Sequence, residues 1–165
     1  MAATRTLVLM RHGKSSYPDD VDDHDRPLDE RGRRQAAKAG EWIAEHVGTV
    51  DSVICSTATR TRQTLEQTGI TGEVRFESSV YGGSPDDIIG EISGADPSAT
   101  VVMVVGHAPG IPFTALELAD DADSESAQWI RSGYPTSALA VLEVSGEWSE
   151  LSRGGARLVQ ALRVD

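Results

Sequence analysis

The sequence predicts an α/β domain built on a largely parallel sheet. Two observations carry this. Short apolar runs alternate with longer stretches of helical periodicity, the pattern of strand–helix–strand units. A turn at Ser145-Gly146-Glu147 after a late apolar run marks a C-terminal hairpin, which adds antiparallel pairing.

The elements follow in order. Residues 6–10 (TLVLM) open the chain as a buried strand, and Arg11-His12-Gly13-Lys14 falls at its C-terminal edge. Residues 15–27 hold two prolines and five aspartates and read as an exposed loop. From Asp29 or Glu30 to His46 the pattern is helical: Ala36, Ala39 or Gly40, Ile43 and Val47 recur at three-to-four spacing, with acids at the start. Residues 52–55 form a second strand, and residues 59–67 a helix that stops at Gly69, with Thr57 or Thr59 as its cap. Residues 74–76 form a weaker third strand. Ser84 caps a helix with Pro85 at its first position, ending near Gly94. Residues 101–105 are the strongest strand, and Gly106-His107-Ala108-Pro109-Gly110 leads from it into a helix to about Leu118. Residues 120–126 are acidic and read as exposed. Residues 138–144 form a strand turned back toward residues 148–151 as a hairpin, and residues 156–164 read as a last strand.

The chain has 165 residues, 39% of them apolar, enough for one domain over residues 1–165 with a real core. No apolar run exceeds five residues, far short of the roughly 20 that span a membrane. A single cysteine, Cys55, excludes an internal disulfide framework and a multi-cysteine zinc site, and it reads as a small buried residue. The expected location is cytoplasmic. A net charge of −11 argues against nucleic acid or an anionic membrane as partner. That charge is uneven: residues 1–62 are net neutral with ten Lys/Arg, and residues 63–165 carry the whole −11. A local anion site in the first third explains this as well as chance does.

Ligands of such sheets bind at the carboxyl ends of the strands, and three predicted strands deliver polar groups there. His12 follows a buried strand and suits a nucleophile, a base, a metal ligand or a bonded core residue. Arg11 beside it forks onto phosphate or carboxylate and disfavours a metal cation. Gly13 removes a side chain where a ligand approaches the backbone. Arg60 lies in the first turn of a helix, where a cation opposes the dipole. Either an anion sits nearby or the arginine pairs with an aspartate. His107 rides a tight strand-to-helix turn toward the space of His12. Two histidines and two arginines around one anion fit phosphoryl transfer through a histidine nucleophile. Side chains then supply the positive charge, with no metal and no cofactor. Asp22-Asp23-His24-Asp25 reads as a solvated loop rather than a divalent-metal site, with substrate selection at the pocket rim as the alternative. Arg31, Arg33, Arg34 and Lys38 read as a basic helix face paired with Asp29, Glu30 and Glu41, with docking of an acidic protein as the alternative.

Four segments resemble one family. Leu9-Met10-Arg11-His12-Gly13-Lys14-Ser15 resembles the RHG signature of the histidine phosphatase (phosphoglycerate-mutase-like) superfamily. Residues 25–32 (DRPLDERG) resemble its R-P-L segment, residues 55–64 (CSTATRTRQT) its S-S-P-x-x-R-x-x-Q-T segment, and residues 105–110 (VGHAPG) its V-G-H-N-P-G turn. The compact length, Lys14-Ser15 and Tyr134-Pro135-Thr136-Ser137-Ala138 look most like the SixA-type phosphohistidine phosphatase branch. The resemblance implies a three-layer α/β/α sandwich, His12 as phospho-accepting nucleophile, and Arg11, Arg60 and His107 as the rest of the phosphate pocket, with Gly13, Lys14 and Ser15 at the substrate. It implies cofactor-independent hydrolysis of a phosphorylated protein or small molecule.

The chain departs from the family where Thr57 replaces proline and Ala108 replaces asparagine. Many members carry a general acid after the third strand. Glu77, Asp86 and Asp87 are the candidates here, and none sits in a matching motif. SixA-type members resemble this chain in that respect. A departing imidazole can take its proton on the far nitrogen, so phosphohistidine needs less proton donation than an alkyl ester. The alternatives are a broad phosphomonoesterase of the same superfamily and a non-catalytic phospho-ligand module.

Overall fold

The computed structural model describes residues 4–165. Six strands, β1 (Thr4–Arg11), β2 (Ser52–Ser56), β3 (Glu73–Glu77), β4 (Val101–Gly106), β5 (Leu139–Ser145) and β6 (Ala156–Leu162), form one sheet in the order β3-β2-β4-β1-β5-β6. β1, β2, β3 and β4 are mutually parallel, and β5 runs antiparallel to β1 and β6. The helices are α1 (Glu30–His46), α2 (Thr59–Thr68), α3 (Pro85–Ser93), α4 (Gly110–Leu118) and α5 (Glu125–Ser132).

Alternation along the strands sends successive side chains to opposite faces, and two separate cores result. Leu7, Leu9, Val102, Val104, Ala140 and Leu142 pack with Ile88 and Ile92 of α3, Ile111 and Leu118 of α4 and Ile130 of α5. Val8, Met10, Val53, Cys55, Met103 and Val105 pack with Ala39 and Ile43 of α1 and Leu65 of α2. The three-layer α/β/α sandwich is therefore present, with the central strands apolar throughout because both faces are covered. Each of the buried Leu, Ile, Val and Met side chains among them stabilises the fold by roughly 1.5–3 kcal/mol.

The structure corrects the sequence reading in three places. Trp148–Glu150 is a single turn of 3-10 helix, so the partner of β5 in the hairpin is β6. Trp148 is fully buried and its Nε1 donates to the Ala99 carbonyl at 2.8 Å; one large inward side chain overrides the local strand pattern. α5 was not expected. Ser124 caps it by accepting from the Ala127 N–H, and its apolar content is confined to one narrow stripe. α2 is flanked at its start by Ala58, with no side-chain cap; neither Thr57 nor Thr59 performs that role.

The register sets the site. Arg11 lies opposite Gly106 and Cys55 opposite Val105, so the residues that leave β1, β2 and β4 emerge side by side. The chain after β1 is drawn against α1 by two glycines. A Cβ on Gly32 would stand 2.0 Å from the Lys14 carbonyl oxygen, and one on Gly13 would stand 2.5 Å from the Gly32 oxygen. We expect Gly32→Ala to push this segment off the helix, costing about 1–3 kcal/mol as overpacking does. A thermal melt checks it: Tm falls by several degrees in a chain of this size, whereas Gly90→Ala, where a Cβ meets open space, leaves Tm unchanged or higher.

Candidate active site

The strand ends bring Arg11, His12, Ser56 and His107 to one edge. His12 is buried, and its backbone N–H donates to the Gly106 carbonyl at 3.0 Å, which extends the β1–β4 ladder by one bond. Its Nδ1 lies 2.6 Å from the Gly13 carbonyl oxygen. A carbonyl only accepts, so Nδ1 carries the proton and Nε2 keeps its lone pair. The segment 134–138 braces this position: the Tyr134 carbonyl accepts from Arg11 Nη1 at 2.8 Å, the Tyr134 hydroxyl donates to the Leu9 carbonyl, and the Ser137 N–H donates to the His12 carbonyl at 2.8 Å.

α2 supplies Arg60 and two positioning residues. Thr64 Oγ1 accepts from the Gly13 N–H at 3.0 Å, and Gln63 Oε1 accepts from the Leu28 N–H at 2.8 Å. Gln35 of α1 accepts from the Lys14 N–H at 3.0 Å. These amides and hydroxyls tie the loop after β1 to both helices on that face. Arg60 is buried, and its Nη1 and Nη2 reach the Asp23 carbonyl and carboxylate at 2.7 and 3.1 Å.

His107 follows β4. Ser56 Oγ lies 2.7 Å from its Nε2 and also accepts from the Ala58 N–H. This contact holds the ring beside the end of β2. His107 Nδ1 is buried with no protein partner, as are Arg11 Nε and Arg60 Nε. The ring centroids of His12 and His107 are 5.3 Å apart.

These side chains line a cavity of about 440 Å³, together with Lys14 and Ser15. Arg26, Arg31 and Arg163 add three more cations, and no carboxylate is among its lining residues. Burial, reinforced by the guanidinium groups, pushes His12 down to about 4 and His107 down to about 3. Both rings are neutral at pH 7. Asp23 is held well below the usual carboxylate range, first by the Tyr81 hydroxyl at 2.6 Å and then by Arg26 and Arg60. An uncharged histidine nitrogen beside fixed guanidinium groups forms a receptor for a phosphoryl-sized anion.

The structure gathers Arg11, His12, Arg60 and His107, and places Lys14 and Ser15 on the cavity wall. Gly13 is different: what approaches it is the Gly32 carbonyl of α1, so its missing side chain serves helix packing. Glu77, Asp86 and Asp87 do not line the cavity. Glu77 pairs with Arg75 at 3.2 Å, and Asp87 closes the capping box of α3. The acidic loop is also more than a solvated segment. Asp23 bridges Arg60, Arg26 and Tyr81, and His24 Nε2 lies 2.8 Å from Thr57 Oγ1. The Asp23 pairing is the aspartate partner that the sequence left open for Arg60, and Arg26 lies in the R-P-L segment. Tyr81 and Arg163 escaped the sequence reading because no local pattern marks either residue. Cys55 is buried as expected, its thiol pushed up to about 12 by burial.

Neutral buried histidines make stability sensitive to acid. Their folded-state pKa lies below the unfolded value, so the unfolded chain binds protons first and stability is lost as pH falls from about 6.5 toward 4. Between pH 6.5 and 5 the expected loss is roughly 1–2 kcal/mol per histidine. Melts at pH 7 and pH 5 check this: the drop in Tm is smaller in His107→Asn than in the native sequence.

Residues 7–78 match the family described as the histidine phosphatase superfamily (branch 1). An uncharacterized protein of Mycobacterium tuberculosis is 45% identical over 152 residues, spanning 91% of this chain and 96% of its own length. A solved structure from Nakamurella multipartitia, assigned as phosphohistidine phosphatase SixA, superposes with a TM-score of 0.92 at 42% identity, covering 99% of this chain and 98% of its own. A second structure with that assignment, from Agrobacterium tumefaciens, gives 0.78 at 27% identity over 96% of this chain and 97% of its own. With the RHG strand end, the Arg60 helix and the His107 turn meeting at one cavity, these likenesses decide the family: the chain belongs to the histidine phosphatase superfamily, is SixA-like, and is a phosphatase.

Proposed function

We propose that this protein hydrolyses phosphohistidine, or small phosphorylated compounds, through a phosphohistidine intermediate on His12. The carrying observation is the His12 Nδ1 contact to the Gly13 carbonyl, which commits that nitrogen's proton and leaves Nε2 as nucleophile inside a cation-lined cavity. Nε2 attacks phosphorus as the bond to the leaving group breaks. Arg11 and Arg60 stabilise the equatorial oxygens, with the His107 ring beside them at the cavity wall. Water then attacks the phosphorus, the P–Nε2 bond breaks, and inorganic phosphate leaves. Lys14 and Ser15 contact the substrate at the wall.

Supporting the phosphohistidine substrate is a lining whose charged side chains are all cations. Among the described residues no carboxylate lines the cavity; Asp23, Asp29 and Asp165 are each paired with one of its cations, and Asp23 is kept ionised by three donors. An alkoxide leaving group needs a proton as it departs. An imidazole takes one on its far nitrogen from solvent. The Nakamurella and Agrobacterium proteins' assignment as phosphohistidine phosphatases points the same way. A cytoplasmic location belongs to this reading.

Rapid-quench trapping tests it. A phosphohistidine peptide, an aryl phosphate and an alkyl phosphate are offered to the native protein and to His12→Ala. The expected result is acid-labile, base-stable phosphate on the native protein alone, the peptide turned over fastest and the alkyl ester slowest. His12→Ala loses about a thousandfold or more in kcat, and Arg60→Gln about 10²–10³-fold. Label that persists in His12→Ala sinks the mechanism. Binding of inorganic phosphate with no label and no turnover favours a non-catalytic phospho-ligand module.

A further inference from the structure

Arg31, Arg34 and Lys38 follow one another along α1 at three- and four-residue spacing, which stacks them on one stripe of the helix. All three are exposed. The pairing expected with Asp29, Glu30 and Glu41 does not form. Asp29 instead accepts from the Gly32 N–H and lies 3.5 Å from Lys14 Nζ. Among the described residues, Arg31, Arg34 and Lys38 take part in no ion pair. Like charges at this spacing destabilise a helix, and Arg31 lies in the first turn, where the dipole also disfavours a cation.

The stripe is continuous with the catalytic cavity. Arg31 and Gln35 line both that cavity and a shallower groove of about 290 Å³, which runs past Arg34 and Lys38 to Val164 and Asp165. The one carboxylate side chain of the groove, Asp165, is already paired with Arg163 at 3.1 Å. The whole chain carries −11, so an unpaired cationic track is out of keeping with the surface around it. A compound held at His12 inside the cavity has no need of Lys38. A polypeptide that continues away from a phosphorylated side chain does.

We propose that the α1 groove docks an acidic segment of a phosphoprotein substrate, next to the residue whose phosphoryl group enters the cavity. This rests on the phosphatase reading above and narrows its substrate to a protein whose phosphorylated residue is flanked by carboxylates.

Two fluorescent, unphosphorylated ten-residue peptides with a central histidine test the groove directly, one flanked by glutamates and one with each glutamate replaced by glutamine. Anisotropy titrations use the native protein and Arg31→Gln/Arg34→Gln/Lys38→Gln, at low salt and at about 0.5 M NaCl. The glutamate peptide binds about tenfold tighter than the glutamine peptide to the native protein. The gap closes in the triple variant and in high salt. Arg34→Gln alone, away from the cavity wall, closes it in part. Equal binding of the two peptides to the native protein, or a glutamate preference that survives in the triple variant, overturns the docking site. Turnover of phosphoramidate is followed on the same native sample. Its absence counts against the phosphatase reading, and the peptide titrations decide the groove either way.

Discussion

The concentration of positive charge in a poorly hydrated space governs the rest of this structure. Arg11 and Arg60 are permanently charged and lie close to one another, Arg60 buried and Arg11 half-buried. Such groups persist only where hydrogen bonds answer them. Arg11 is answered by the Tyr134 carbonyl and Arg60 by Asp23. With Lys14, Arg26, Arg31 and Arg163 on the same wall, the cavity gathers positive charge that a bound anion offsets. The same field and burial keep His12 and His107 unprotonated, which is the state a nitrogen nucleophile requires.

Such a site works only if its parts cannot drift apart. The chain after β1 is fixed from three sides: Thr64 holds the Gly13 amide, Gln35 the Lys14 amide, and Gln63 the Leu28 amide that faces them across the loop. The two-glycine contact between this chain and α1 admits no side chain at all. Ser137, at φ 63 and with a buried hydroxyl that has no partner, presents its N–H to the His12 carbonyl. A non-glycine residue in that conformation is tolerated where its surroundings over-determine it. The position of His12 is thus fixed by contacts along the backbone on either side of it.

Asp23 links the site to the surface. Its carboxylate lies at the edge of the cavity, answers Arg60 and Arg26 and accepts from Tyr81. Tyr81 in turn packs edge-on against both His24 and His107. The acidic loop is therefore part of the cavity's charge balance. Outside, the unpaired stripe of α1 extends the cationic surface beyond the space that one phosphoryl group occupies. An acidic molecule with a cationic track to its active site selects ligands through local contacts, because its overall field repels anions.

Much of this was legible in the sequence. The two-sided burial of the central strands writes itself as near-continuous apolar runs, and strand–helix alternation follows from that. Arg11, His12, Arg60 and His107 were found because each directly follows a strand or opens a helix, and the carboxyl edge of a parallel sheet is one place. What local pattern encodes, the sequence by itself determined: the fold class, the four central residues and the capping of α3 by Ser84. Tertiary structure decided the remainder. Whether Trp148 continues a strand or turns inward depends on a cavity formed by other elements. Whether Gly13 meets a ligand or a helix depends on where Gly32 comes to lie. Asp23 joins Arg60 across 37 positions, and Arg163 reaches the cavity from the far end of the chain. Contacts of that range arise from packing geometry, and no periodicity in the chain records them.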